Sequence, residues 1–153
     1  MASDETRQFC CFLLDDMLFG IDVGDVQEVL RDQHRTRVPL ASPMVHGLIN
    51  LRGQIVTVLD LRHCLKLPSL TDERRPAHVI VRTRDEPMSF LVDEIGDVLS
   101  VRESDFVPAP ETLSGVAVDL ICGTYKLEQR LILVLNTQQI ADHAVAGRSQ
   151  KQA

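Results

Sequence analysis

Short apolar runs separated by turn-forming residues dominate this chain. Phe9-Cys10-Cys11-Phe12-Leu13-Leu14 has the length and character of a strand. Asp15-Asp16 supplies a turn, and Leu18 to Val23 forms a second strand, so the three predict a hairpin. Val26, Val29 and Leu30 stand at i, i+3 and i+4, which predicts one or two helical turns begun by Gly24 or Asp25. His34 to Pro43 is polar, carries two prolines and reads as a loop. Val45 to Leu51 and Gln54 to Leu61 are strands around an Arg52-Gly53 turn, and Asp60 caps a short helix through Leu65. Pro68 to Pro76 is a charged connection.

The programme then repeats. Ala77 to Arg82 and Met88 to Asp93 are strands around Asp85-Glu86-Pro87. Ile95 to Val101 is strand-like, and Glu103 to Phe106 suits one helical turn. Leu120 to Leu127 and Arg130 to Leu135 close with a hairpin, after which Asn136 or Thr137 caps a helix to about His143. Residues 1–8 and 144–153 read as flexible ends around a domain at 9–143.

The repetition is quantitative. Gly47, Leu51, Ile55, Val58, Leu59 and Asp60 are matched by Gly123, Leu127, Leu131, Val134, Leu135 and Asn136, each 76 positions on (123 − 47 = 76). Upstream, Val26-Gln27-Glu28-Val29-Leu30 matches Ile95-Gly96-Asp97-Val98-Leu99 at an offset of 69 (95 − 26 = 69). The aligned glycines and the aligned Asp/Asn carry backbone and capping demands, which chance similarity among apolar strands does not explain. Two similar halves follow, at about 9–67 and 78–141. Many short strands with brief helices make an all-β class, and the division into two sets favours two small barrels over one sandwich. Each half alone is marginal in size, so the halves are expected to share a buried interface. Exchange of strands between the halves would put the spatial boundary elsewhere than near Pro68 to Pro76.

Bulk properties narrow the function. A net charge of −6 over 153 residues argues against a nucleic-acid binder. No apolar run reaches the roughly 18 residues of a membrane span, and Met1 to Gln8 lacks the order of a signal peptide. Cys10, Cys11, Cys64 and Cys122 show no C-x-x-C spacing, which favours free thiols in a reducing cytoplasm. The five histidines are scattered without H-x-x-x-H spacing and read as surface or turn residues, not ligands. No nucleophile elbow or phosphate-cradling glycine loop appears. Asp15-Asp16 and Asp93-Glu94 read as turn chemistry. No catalytic centre, cofactor or metal is expected. Arg52, at an apolar hairpin tip beside a glycine that permits close approach, is left as a binding candidate.

These residues carry a family resemblance. The stretch from Gly47 to Arg62 resembles the G-x-x-N-L-R-G-x-x-x-P-V-x-D-L-R pattern of the CheW-like family. Phe19 to Val29 is similar to its Y-G-I-x-x-x-x-V-x-E-I, Leu91 to Leu99 to its V-V-D-x-V-x-x-V-L, and Phe106 to Glu111 to the loop before its closing strands. The match runs in order over about residues 9 to 142. Thr57 replaces the common proline, and Asn136 stands where Asp is usual.

The resemblance implies two five-stranded SH3-like β-barrel subdomains with a groove between them. It implies a non-enzymatic, cytoplasmic adaptor, recruited to membrane receptor arrays. The partners it implies are the cytoplasmic hairpin tip of chemoreceptors and the regulatory domain of a CheA-type histidine kinase. A chain this short leaves no room for a fused kinase or receiver. Val26 and Glu28 map to positions linked to receptor and assembly contacts, and Arg52 to the arginine that adaptor function needs. Gly47, which opens the matching stretch, joins them as a partner-binding candidate. Plain core packing is the rival for Val26, and a solvated helix face for Glu28. Arg52 is expected to make a charge-assisted hydrogen bond, across a partner interface or to Glu28. An adaptor for type IV pili or biofilm signalling, and a small all-β ligand-binding or enzymatic barrel, are the competing readings.

Overall fold

The computed structural model describes residues 5–31, 35–36, 44–67, 76–108 and 119–152. The connection at 68–75, most of the 34–43 loop and the segment from Ala109 onward in the Phe106–Glu111 motif lie outside the described residues.

Eleven strands are described: β1 Thr6–Leu14, β2 Met17–Asp22, β3 Val26–Leu30, β4 Val45–Leu51, β5 Gln54–Asp60, β6 Ala77–Val81, β7 Met88–Val92, β8 Glu94–Arg102, β9 Phe106–Val107, β10 Ile121–Lys126 and β11 Leu131–Leu135. Helix α1 covers Leu61–Cys64 and α2 covers Thr137–Gln152. The all-β class holds, in two sheets. One runs β8-β1-β2-β11-β10-β9, the other β3-β6-β7-β5-β4.

The repeat is reproduced in the pairing itself. Within the second sheet β5 runs parallel to β7 with Val58 opposite Ser89; within the first, β11 runs parallel to β2 with Val134 opposite Gly20. Val58 and Val134 differ by the 76 offset, Gly20 and Ser89 by the 69 offset. Gly47 and Gly123 each follow a register irregularity, after Val45 and Ile121 respectively. Equivalent strands therefore occupy equivalent places, with the leading hairpins exchanged. Hairpin β1–β2 joins the sheet of the second half, and hairpin β6–β7 joins that of the first.

Chain length enforces this exchange. β3 lies antiparallel to β6, so joining its own hairpin it would lie antiparallel to β1 and parallel to β2. A parallel connection needs about a dozen residues or more. Only Val23–Asp25 link β2 to β3, and only Asp93 links β7 to β8. Neither half can close on its own hairpin, so each strand that leaves one sheet enters the other.

Three apolar clusters result among the described residues. One face of the second sheet gathers Ile49, Leu51, Val56, Val58 and Ile80, with Leu30 and Leu91 against them, so all five strands curl round one small core. Phe9, Leu18, Val101, Tyr125 and Ile132 form the matching core of the first sheet. The opposite faces meet in a larger shared core that includes Phe12, Phe19, Val79, Phe90, Leu133 and Leu135, capped by Leu61 of α1 and Ile140 of α2. Central strands are apolar on both faces, which explains unbroken runs such as Phe9 to Leu14. Burying a side chain such as Phe90 contributes about 1.5–3 kcal/mol.

Several expectations need correction. Val26–Leu30 is a strand, not a helix: Asp22 caps a 3-10 turn at Val23–Asp25 by accepting from the Gly24 N–H at 2.9 Å, and Val26 is already extended. Five residues with β-branched Val26 and Val29 fit either period, and pairing with β6 decides. Thr6–Gln8 belong to β1, paired with β8, rather than to a flexible end. α2 continues to Gln152 instead of stopping near His143. His78 is fully buried in β6, with Nδ1 2.8 Å from Ser89 Oγ, not a surface or turn residue. The Asp60 and Asn136 caps form as expected, to Arg62 N and Gln139 N.

Candidate functional site

The β4–β5 turn is two residues long, with Arg52 at φ 53° and Gly53 at φ 86°. Positive φ at both positions is the turn that matches strand twist. Glycine adopts it freely; arginine does so at some conformational cost, a placement common where a side chain is held for use. Asn50 steadies the tip, its Oδ1 accepting from Gly53 N at 2.8 Å.

From this tip Arg52 reaches β3. Its Nη1 donates to Glu28 Oε2 at 2.6 Å and its Nη2 to Oε1 at 2.7 Å, a two-pronged charge-assisted contact. Because β3 and β4 are the two edges of their sheet, the pair links the hairpin tip of one edge to the other edge strand. The Arg52 side chain remains 70% exposed while that of Glu28 is 21% exposed. The outcome is a guanidinium fixed in direction yet open on one side.

The hydrogen bonds from Arg52 hold the Glu28 carboxyl below the usual glutamate value of 4.5. A depressed folded-state value means the link's contribution is complete above the unfolded value and is lost as pH falls through the folded one. In a carboxyl-carbon titration, the Glu28 midpoint is therefore expected below 4.5 and should return to the ordinary value in Arg52→Ala. Equal midpoints in the two proteins would mean that the pair does not persist in solution.

Of the four residues singled out from sequence, Glu28 and Arg52 are brought into contact. Val26 is half-buried against the shared core, and its carbonyl accepts from Arg82 Nη1 at 3.1 Å. Gly47 is buried in β4 opposite Val58. Packing alone accounts for both positions.

Sequence reasoning missed a second charged cluster. Arg62, on α1, donates from Nε to Asp93 Oδ1 at 2.8 Å and from Nη2 to Asp93 Oδ2 at 2.5 Å. Nη2 also reaches Asp15 Oδ1 at 2.5 Å. Asp15 N donates to Asp93 Oδ2 at 2.8 Å, and Asp93 N to Leu13 O at 3.2 Å. The side chains of Arg62 and Asp93 are 9% and 4% exposed. The cluster ties α1 to the β1–β2 tip and to the point where the chain crosses between sheets. Asp15 and Asp93 do sit at turns, but Asp93 is a buried counter-ion there. The available signal was the Arg after Asp60-Leu61, which a surface helix would not require.

Reactive chemistry is sparse. Burial pushes the Cys64 thiol up to about 12 and that of Cys11 up to about 11, so neither is a ready nucleophile. Among the described residues, no three His, Cys, Asp or Glu side chains are grouped to hold a metal ion, and no helix is long and apolar enough to cross a membrane.

Comparison with known proteins agrees with this architecture. The model of the CheW-like domain matches residues 8–145. The chain is 35% identical over 133 residues to the chemotaxis protein CheW of Bacillus subtilis, covering 86% of this chain and 84% of that protein. It is 28% identical over 143 residues to the chemotaxis protein CheW of Treponema pallidum, covering 91% and 84%. Its fold is similar to that of the scaffolding protein TtCheW from Thermoanaerobacter tengcongensis, with a TM-score of 0.80, 24% identity, and 89% and 92% of the two chains covered. With the family model matching most of the chain and the exchanged two-sheet fold in place, this protein belongs to the CheW-like family.

Proposed function

We propose that this protein is a signalling scaffold that couples chemoreceptors to a CheA-type histidine kinase in bacterial chemotaxis, acting without catalytic turnover of its own. The observation that carries the site assignment is the Arg52–Glu28 fork: a charge held rigid at a hairpin tip and left open on one side. Such a group is ordered before binding, which lowers the entropy lost on association. Glu28 and Arg52 form the partner-binding centre, with Val26 and Gly47 shaping the strands beneath it. The kinase's regulatory domain and the receptor's cytoplasmic hairpin tip engage different faces, and the protein works in the cytoplasm at membrane receptor arrays.

The test is reconstitution. Purified protein is added to a chemoreceptor cytoplasmic fragment and a CheA-type kinase, and kinase autophosphorylation is followed. Stimulation that needs all three components supports the scaffold. Turnover of ATP by this protein alone, or kinase stimulation that needs no receptor, would overturn it.

A further inference from the structure

Because neither half can close on its own hairpin, each half must accept a hairpin from elsewhere. Two are available within the chain, and they are alike enough to share one register. Within one copy the short connectors keep each hairpin from the other's place; when two copies fold side by side, something else must do so.

The two seats differ at equivalent positions. Arg62, beside β5, meets Asp93 at the end of hairpin β6–β7. The residue equivalent to Asp93 on hairpin β1–β2 is Gly24, 69 positions earlier, which has no carboxylate. The residue equivalent to Arg62 beside β11 is Gln138, 76 positions later. Gly24 and Gln138 do not form a matching ion pair; they line an open cavity of about 510 Å³. Seating β1–β2 beside β5 would therefore leave a buried Arg62 facing glycine, and seating β6–β7 beside β11 would place Asp93 opposite an amide at an open site, without its guanidinium fork.

Size gives a second, independent distinction. A Cβ at Gly20 would lie 3.0 Å from Ile132 Cγ2 and 3.1 Å from Phe9 Cβ. The equivalent residue on the other hairpin is Ser89, which does carry a Cβ. Ser89 of hairpin β6–β7 would therefore press on Ile132 in the β11 seat, which would have to give by a few tenths of an ångström.

We propose that the buried Arg62–Asp93 pair, supported by the Gly20/Ser89 size difference, determines which hairpin enters which sheet. It excludes mispaired dimers in which two copies exchange like hairpins. A buried ion pair is a costly way to gain stability and an effective way to reject wrong partners.

The test replaces the pair by apolar residues of similar size, Arg62→Met/Asp93→Leu, in the full chain. Wild type and variant are refolded over a range of concentrations. Oligomeric state is read by size exclusion with light scattering, and strand pairing by the amide contacts of Val58 in isotope-labelled protein. The wild type is expected to be monomeric with Val58 against Ser89 throughout. The variant is expected to melt within a few degrees of the wild type, yet to yield slowly interconverting dimers at high concentration in which Val58 contacts Gly20. A variant that refolds solely with the Val58–Ser89 contact overturns the proposal. If the variant fails to fold, Gly24→Asp carries the test alone. Gly24 is exposed; its new Cβ would lie 3.2 Å from Asp22 Oδ1, which must give slightly, and the change gives hairpin β1–β2 the missing carboxylate. Mispaired dimers are then expected, and their absence overturns the proposal.

Discussion

Arg62→Met is expected to lower the melting temperature by roughly 6–20 °C. The guanidinium and the Asp93 carboxylate are almost wholly removed from water and meet through two parallel hydrogen bonds. Taking away one member leaves the other buried without this counter-charge, which costs about 3–5 kcal/mol. A domain of this size shifts by roughly 2–4 °C per kcal/mol. Arg62→Lys keeps the charge but not the planar fork, so it should recover only part of the loss. Arg62→Met/Asp93→Leu should recover most of it, because two apolar side chains of similar volume leave no stranded charge. Thermal and urea unfolding of the three variants check this. If Arg62→Met melts with the wild type, the cluster is energetically idle and its electrostatic account is wrong.

Arg52→Ala is expected to do the reverse: leave melting nearly unchanged and weaken assembly roughly tenfold or more. The arginine lies at an exposed tip, so its loss uncovers no core and strands no deeply buried group. What disappears is the ordered guanidinium that a partner would meet. Arg52→Lys should be partly active, since an ammonium cannot hold both Glu28 oxygens and still present a flat face. Glu28→Gln should share the defect, with a smaller loss, because the guanidinium stays but loses its ionic anchor. The measurement pairs a melting curve with the three-component kinase assay. Full kinase coupling in Arg52→Ala would remove Arg52 from the site. A collapsed melting temperature would make it a structural residue instead.

These two arginines stand ten positions apart in one recognisable stretch, and both match its arginine positions. Their burial separates them. Arg52 follows β4 into a solvent-facing turn, whereas Arg62 sits on α1 beneath the crossover between sheets. Linear spacing does not reveal this, because Asp93 comes beside Arg62 only through the parallel pairing of β5 with β7.

Much was nonetheless legible in the chain alone. Apolar runs and turn residues located the strands, because a strand's period and a turn's backbone demands are local. Offsets of 69 and 76 identified two copies of one unit, and the contact between Arg52 and Glu28 was one of two partners expected for that arginine. Local signals were ambiguous at Val26–Leu30, where five residues suit either period and the neighbouring strand decides. They were blind at His78, whose polar ring is buried because Ser89 on the adjoining strand meets it.

The sequence by itself determined most of the strands, their turns and their duplication. Only the tertiary structure decided which hairpin each half receives. Similar strands can pair in several ways, and the choice rests on contacts between distant residues: a carboxylate for Arg62, a glycine for Ile132 and a shared core that forms only once both hairpins are exchanged.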